Sequence, residues 1–244
     1  MGEVYTSGKR GGKPKQIDGF TGSMQIITET TTWTCPATGE YYISCIGQGG
    51  INFAGDEQSN TTRTTLFFVY GGGGGIAESK LKLQKGNEIT ITIDAGVSSF
   101  GSYLSATGGG NVKVKIDEFG FCSKITAGSG GSGSGGNVGN FDGDNGKKED
   151  SKIYQGTKDD YVNKQGGGTN KNAKYGGAAG GSISYYGSFN FPYPFYSVCP
   201  TPANLGIYPY GSSQGNGCYF YDDIPSYGKD LYIKNGAVII EYMG

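Results

Sequence analysis

Alternation of apolar and polar residues predicts β-strands along much of the chain. Between residues 88 and 94, Ile89, Ile91 and Ile93 alternate with threonine, which places the isoleucines on one buried face. A tight turn at Gln84–Asn87 joins this strand to the one before it. Further strands are predicted at residues 64–70, 76–83, 98–106, 112–116 and 237–242.

The first apolar stretches predict a β-hairpin. Residues 24–33 and 39–46 are rich in β-branched and aromatic side chains, and residues 35–39 form a turn between them. Residues 51–62 are polar and predict a loop. Because no segment has a helical period, the sequence predicts an all-β protein.

Two later segments differ from the strand-forming part. Residues 128–181 are dominated by glycine, asparagine, serine and lysine, whereas residues 175–221 carry no charge and hold a dozen tyrosines and phenylalanines from Tyr185 onward. Six of the eight prolines lie between Pro192 and Pro225, which excludes a long strand or helix there. The predicted organisation is a basic N-terminal arm (1–23), a β domain (24–127 plus 233–244), a glycine-rich segment (128–181) and an aromatic and proline-rich distal insert (182–232).

Charge and hydropathy limit the partners and the cellular location that can be expected for the protein. With 20 basic and 21 acidic residues, no global field attracts the chain to nucleic acid or to an anionic membrane. No apolar stretch approaches the roughly 20 residues of a membrane-spanning helix, and the residues after Met1 are polar, unlike a signal peptide. We expect a soluble protein that is made in a cytoplasm.

The five cysteines do not predict a metal site. Their number is odd, no C-x-x-C pair is present and the chain has no histidine, so a zinc centre is disfavoured. Most are expected to be free thiols, because synthesis in a cytosol disfavours disulfides. The spacing would allow two disulfides, Cys35 with Cys45 and Cys199 with Cys218. Cys122 would then have no cysteine partner.

The sequence offers little to an enzyme mechanism. Without histidine there is no Ser-His or Cys-His pair. Residues 142–146 resemble the start of a calcium loop but lack its later ligands, and no phosphate-binding loop is present. We therefore predict no catalysis, no cofactor and no metal site. Three acidic pairs could serve a glycosidase: Asp142 with Asp144, Asp159 with Asp160, and Asp222 with Asp223. Their charged, turn-like surroundings instead favour acids in solvated loops.

A known family has a similar order of motifs. The motifs are Trp33-Thr-Cys-Pro-Ala-Thr-Gly39, the five glycines 71–75 followed by Ile-Ala-Glu-Ser, Lys85-Gly-Asn-Glu-Ile-Thr-Ile-Thr-Ile-Asp-Ala-Gly96, Leu104-Ser-Ala-Thr-Gly-Gly-Gly110 and Gly236-Ala-Val-Ile-Ile-Glu-Tyr242. The chain resembles the glycine-rich domain at the ends of bacteriophage tail fibres and adhesins. The resemblance implies a β-sandwich-like domain that the C-terminal strand closes, a trimeric virion protein that contacts the host surface, and no catalytic residue.

Two interpretations of the glycine runs remain open. One is a left-handed extended helix with three residues per turn, as in polyproline II, packed through backbone contacts that only glycine permits. The other is a flexible solvated linker. The position of Gly71–Gly75 between strands favours the ordered form, whereas residues 128–150 fit both.

The aromatic insert is the predicted recognition surface. Tyrosine beside glycine, serine and asparagine is typical of adaptable binding loops, and aromatic faces stack on sugar rings. The alternative is that these rings form a core or a trimer interface. The predicted receptor-binding residues are Tyr185, Tyr186, Tyr193, Tyr196, Tyr208 and Tyr210.

The expected function is host attachment by a phage tail appendage. The arm, with Lys9, Arg10, Lys13 and Lys15, would dock to the preceding virion protein, unless it is a frayed terminus. The insert would bind a surface glycan or protein of the host, in a homotrimer exposed on the virion, without contacting nucleic acid or inserting into a membrane. Two alternatives are a structural virion protein without receptor contact and a glycan depolymerase.

Overall fold

The described part of the molecule is built from β-strands. The computed structural model describes residues 24–51, 53–60, 63–94, 96–116, 122–154, 162–165, 168–176, 182–185, 194–198 and 236–244, and within these ranges every regular element is a strand, so the fold class is all-β. The strands are β1 (Met24–Ile27), β2 (Thr31–Thr34), β3 (Gly39–Ile46), β4 (Phe53–Asn60), β5 (Arg63–Val69), β6 (Ile76–Leu83), β7 (Glu88–Ile93), β8 (Val97–Phe100), β9 (Leu104–Thr107), β10 (Lys113–Ile116), β11 (Cys122–Thr126), β12 (Gly133–Ser134), β13 (Gly139–Phe141), β14 (Lys148–Tyr154), β15 (Val162–Gln165), β16 (Ser182–Tyr185), β17 (Pro194–Val198) and β18 (Ala237–Tyr242).

Two antiparallel five-stranded sheets carry the hydrophobic core. The first sheet has the order β1-β18-β3-β6-β13, so that the last strand of the chain lies between two early ones. Its register pairs Val238 with Ile27 on one side and with Cys45 on the other. The second sheet has the order β12-β9-β8-β7-β2.

The facing sides of these two sheets share one apolar cluster. Ile91 and Phe100 from the second sheet are fully buried together with Ile43 and Ile240 from the first. Trp33 packs edge-on against Tyr41 with ring centroids 5.6 Å apart. Because strand residues alternate between faces, the period-two pattern of β7 places Ile89, Ile91 and Ile93 in this cluster, as the sequence predicts.

The opposite face of the first sheet is also apolar. Every residue from Tyr41 to Ile46 is buried, which is the pattern of a strand that is covered on both faces. Residues 168–176, here called the strap, contribute Ala173 and Tyr175 to the covering of this face. The sheet side of this second cluster consists of Met24, Ile26, Tyr42, Ile46, Ile76, Ala237 and Ile239.

The predicted hairpin of residues 24–33 with 39–46 is wrong. Strand β1 pairs with β18 in the first sheet, whereas β2 pairs with β7 in the second. The chain crosses between the sheets at residues 28–30, where the Thr30 hydroxyl accepts a hydrogen bond from the Ile93 amide at 2.9 Å. It also donates one to the Ile93 carbonyl at 3.1 Å, so Thr30 fixes the crossing.

Most other strand predictions are confirmed, with two further errors. The single strand predicted at residues 98–106 is instead two paired strands, β8 and β9, joined by a turn at residues 101–103. The strands at residues 64–70, 76–83 and 237–242 and the turn at Gln84–Asn87 are present. The predicted loop at residues 51–62 contains β4 instead. Strand β4 pairs along β5, and backbone pairing therefore outweighs the polar composition of the segment.

Smaller sheets account for the remaining strands. Strand β5 lies between β14 and β4, β10 pairs with β11, and β16 lies between β15 and β17. The predicted glycine-rich segment 128–181 therefore supplies β12 and β13 to the two large sheets and β14 and β15 to two smaller ones.

Candidate functional site

The structure describes two of the six predicted receptor-binding tyrosines, through their backbone. Tyr185 ends β16 and Tyr196 lies in β17, and these strands are paired. The other predicted receptor-binding residues, Tyr186, Tyr193, Tyr208 and Tyr210, lie outside the described residues. Receptor binding by these tyrosines stays a prediction.

Of the three acidic pairs and the last two cysteines of the sequence, the structure describes only Asp142 and Asp144. Asp142 and Asp144 are exposed loop residues, and no group of three His, Cys, Asp or Glu side chains placed to hold a metal occurs in the described ranges. The other two acidic pairs, together with Cys199 and Cys218, fall beyond the described residues.

Two of the cysteines are free and buried in the main core. Cys35 and Cys45 do not form the disulfide that their spacing would allow. The Cys45 thiol donates a long hydrogen bond to the Leu104 carbonyl at 3.7 Å. Burial raises the pKa of the Cys45 thiol well above its usual range, so it stays protonated and unreactive in the folded protein.

Glycine-rich segments pack against each other through their backbones beside the two sheets. Their hydrogen bonds recur every three residues: the Gly47 amide donates to the Gly75 carbonyl at 2.9 Å, and the Gly50 amide donates to the Gly72 carbonyl at 2.8 Å. The Gly128 and Gly131 amides donate in the same way to Tyr70 and Gly73. We call these segments the glycine layer, and they comprise residues 47–51, 70–75, 107–112, 128–132 and 142–147.

The central segment of the glycine layer has more neighbours than a sheet strand. Residues 70–75 exchange hydrogen bonds with all four other segments of the layer. A strand in a pleated sheet bonds to two neighbours, one on each side. The layer is therefore bonded in several directions at once, which requires backbones to approach each other without intervening side chains.

Close backbone contacts explain why glycine fills these positions. A Cβ atom on Gly72 would lie 1.9 Å from the Ser129 carbonyl oxygen, and one on Gly146 would lie 1.8 Å from the Tyr70 carbonyl oxygen. Real Cβ atoms do not come that close, and the obstacle is backbone rather than a movable side chain. Gly71–Gly75 are all buried.

The strap joins the glycine layer to the first sheet. At its start, the Gly168 carbonyl accepts a hydrogen bond from the Asp144 amide at 2.9 Å. Near its end, the Lys174 amide donates to Glu78 Oε1 at 2.9 Å. Glu78 is 2 % exposed, on the strap-facing side of β6, and it also accepts from the Tyr42 hydroxyl at 2.7 Å.

A second carboxylate on the same face binds the strap side chains. Glu241 of β18 forms an ion pair with the Lys174 ammonium and accepts a hydrogen bond from the Tyr175 hydroxyl at 2.9 Å. The ammonium lies 4.4 Å from the centroid of the Tyr42 ring and 5.4 Å from that of Tyr175. We call Tyr42, Glu78, Tyr175 and Glu241 the ammonium cage.

The electrostatics of the cage keep its tyrosines protonated. Burial raises the pKa of Tyr42 beyond its usual range, and the hydrogen bond to Glu78 raises it further. The pKa of Tyr175 is also raised, first by burial and then by the nearby Glu241 charge. Both hydroxyls therefore remain hydrogen-bond donors to the carboxylates at neutral and mildly alkaline pH.

The chain returns to the first sheet at Gly236, directly before β18. A Cβ atom on Gly236 would lie 2.0 Å from Ser98 Oγ, so the return point is tightly enclosed. At the other end, the Gly176 amide donates to the Ala173 carbonyl within the strap. Residues 177–235, which include the predicted insert, are thus bounded on both sides by buried glycines.

Sequence reasoning did not identify the cage. Its residues are spread from position 42 to position 241, and nothing in their spacing brings them together. One signal was present: Glu78 is a lone carboxylate directly after Ile76 and Ala77, at the start of an apolar strand. A charge at a position that alternation predicts to be buried indicates a specific partner.

Comparison of the chain with protein-family models, with curated proteins and with solved structures found no match. The likeness to the glycine-rich domain of tail fibres therefore stays a prediction from the sequence. No helix in the described part of the chain has the length and apolar character that crossing a bilayer requires.

Proposed function

We propose that the protein is a bacteriophage tail appendage that attaches the virion to a receptor on the host surface, a glycan or a protein, without catalysis. The observation that carries this proposal is the way in which the two ends of residues 177–235 are held. The strap ends at Gly176 and the return begins at Gly236, and Tyr175 is bonded to Glu241 on β18. The described residues at both ends of this segment are held on the first sheet, and residues 177–221 within it are uncharged and rich in aromatic residues. Such an arrangement suits recognition, because a loop whose ends are held loses less entropy on binding.

The two five-stranded sheets and the glycine layer, together called the frame, support a proposal about the architecture of the protein. Apolar residues from both five-stranded sheets share one cluster, which supports a β-sandwich-like domain that the C-terminal strand completes. The three-residue recurrence of hydrogen bonds supports polyglycine II helices in the glycine layer. Such a scaffold would present the insert rigidly, as a homotrimer that docks to the virion through its basic arm.

Competition for adsorption tests receptor binding. Purified protein should block adsorption of the virion to its host, whereas a variant with residues 185–221 replaced by a short glycine-serine linker should not block it. Circular dichroism should show that this variant keeps most of its strand signal, because the replacement removes β17 and the end of β16 but none of the two five-stranded sheets. If neither protein blocks adsorption, receptor binding is refuted.

Single substitutions sharpen this test. Tyr193→Ala, Tyr208→Ala and Tyr210→Ala should each weaken competition. Tyr103→Ala is the matched control, because Tyr103 is an exposed tyrosine, 48 % accessible, in the turn between β8 and β9 on the frame. If Tyr103→Ala weakens competition as much as the insert substitutions do, the binding surface is on the frame.

A further inference from the structure

The Lys174 ammonium, on a side chain that is 38 % exposed, lies against groups that favour a cation. It contacts the faces of two aromatic rings, Tyr42 and Tyr175, and is paired with the carboxylate of Glu241. A cation within about 6 Å of a ring centroid is attracted by the negative face of the ring. Ring faces and a carboxylate together favour a positive charge over a neutral group of the same size.

The walls of the cage are held in place by their own hydrogen bonds. The Tyr42 hydroxyl donates to buried Glu78, and the Tyr175 hydroxyl donates to Glu241. The two rings meet at 67° with centroids 6.3 Å apart. Each ring is therefore positioned by a carboxylate from a different strand of the first sheet.

The place of the cage in the chain suggests what it controls. Lys174 and Tyr175 directly precede Gly176, the last described residue before the segment that contains the insert, and we call this position the exit point of the insert. Tyr42, Glu78 and Glu241 belong to three adjacent strands, β3, β6 and β18. The contact thus joins the exit point of the insert to the rigid centre of the first sheet.

We propose that the ammonium cage is a lock in which Lys174 fixes the exit point of the insert and so positions its recognition surface. The positioning role rests on the proposed receptor-binding function, whereas the locking of the strap does not. Lys174, Tyr42 and Glu241 are positioning residues: they hold the strap on the sheet and do not contact the receptor.

Proteolysis of the full chain tests the lock. Chymotrypsin cleaves after tyrosine, and Tyr175 is buried, so cleavage there requires the strap to open. Loss of a cation held by two rings and a carboxylate should raise the open population, and with it the cleavage rate after Tyr175, by about tenfold in Lys174→Met. Mass spectrometry of the fragments identifies the cleavage site.

Three further variants separate a cation lock from simple covering of the sheet. Lys174→Arg keeps the charge and the ring contact and should restore slow cleavage, and Glu241→Gln should cleave faster than the wild type. Lys171→Met is the matched control, since Lys171 is an exposed lysine of the same strap outside the cage. Equal cleavage of Lys174→Met and the wild type, or equally fast cleavage of Lys174→Arg and Lys174→Met, would overturn the lock.

Adsorption competition with the same variants tests positioning. Lys174→Met should compete several-fold less well than the wild type, and Lys174→Arg should compete nearly as well. If the wild type competes and Lys174→Met competes equally, positioning is refuted. If the wild type itself fails to compete, the proposed function and the positioning role both fall, while proteolysis still decides on the lock.

Discussion

The main core and the central segment of the glycine layer, residues 70–75, are both buried, but they are held together in opposite ways. In the core, Phe100, Ile91 and Ile43 fill the space between two sheets with side chains that alternate with a period of two. In the glycine layer, backbones such as those of Gly72 and Gly131 touch directly, and hydrogen bonds recur with a period of three. One region is stable because side chains are present, and the other because they are absent.

This contrast teaches that burial alone does not reveal what a position tolerates. In the core, removing atoms leaves a cavity and loses contacts. In the glycine layer, adding one methyl group forces two backbones apart and breaks their hydrogen bonds. A change to alanine should therefore destabilise both regions for opposite reasons.

The largest expected effect comes from the core. Phe100→Ala removes a fully buried ring that packs on Trp33, and it should lower the free energy of unfolding by about 4 kcal/mol. Urea denaturation followed by tryptophan fluorescence measures this loss. Tyr103→Ala serves as the comparison: its ring is 48 % exposed and covers Phe100 from outside with centroids 6.2 Å apart, so its loss should cost much less. A loss below about 1 kcal/mol in Phe100→Ala would contradict a close-packed core.

Adding a methyl group to the glycine layer should cost nearly as much. Gly72→Ala places a Cβ atom 1.9 Å from a backbone oxygen and should destabilise by about 3 kcal/mol in the same assay. Gly96→Ala is matched, because its Cβ atom would meet only Asp94 Oδ1, at 3.5 Å, and it should change stability by less than about 0.5 kcal/mol. Equal tolerance of both substitutions would mean that the glycine layer is loosely packed.

High pH should destabilise the first sheet through its buried tyrosines. Burial raises the pKa values of Tyr41, Tyr42 and Tyr175 in the folded protein, whereas an unfolded tyrosine ionises near about 10. Their contribution to stability is therefore complete below about pH 10 and is lost as the pH rises further. Absorbance at 295 nm reports all 19 tyrosines, so exposed ones should ionise first, and only the last phase of ionisation should coincide with unfolding measured by circular dichroism. Full ionisation of these residues while the strands persist would contradict their burial.

The smallest effect is expected at two serines. The Ser98 hydroxyl is buried without a hydrogen-bond partner among the described residues, so Ser98→Ala should be nearly neutral. The equally buried Ser44 hydroxyl donates to Glu78 at 3.4 Å, and Ser44→Ala should cost about 1 kcal/mol. A comparison of the two unfolding midpoints measures the difference. Equal costs would show that the bond to Glu78 adds nothing.

The individual strands could be predicted because alternation is a local signal. The isoleucines of β7 and the apolar run of β18 identify their strands without knowledge of their partners. Strand pairing could not be predicted in the same way. The crossing at Thr30 depends on its bonds to Ile93, which is 63 residues away in the sequence.

The strap and the cage could not be predicted from the sequence for the same reason. Lys174 lies in a polar segment whose composition indicates a loop, and its partners come from three separate strands. Glycine content predicted unusual backbone packing at Gly71–Gly75, but it could not identify which segments touch. The recurrence of bonds every three residues becomes visible only when the segments are side by side.

Hydrogen exchange of individual amides would show whether the glycine layer is as firmly bonded as the core. The amides of Gly72, Gly75 and Gly131 should exchange as slowly as that of Ile43 in β3, because each donates to a carbonyl inside the layer. The exposed Gly244, which follows β18 and whose amide donates no hydrogen bond to the described residues, should exchange orders of magnitude faster. If the glycine-layer amides exchange as fast as that of Gly244, the segments are flexible linkers rather than a bonded layer.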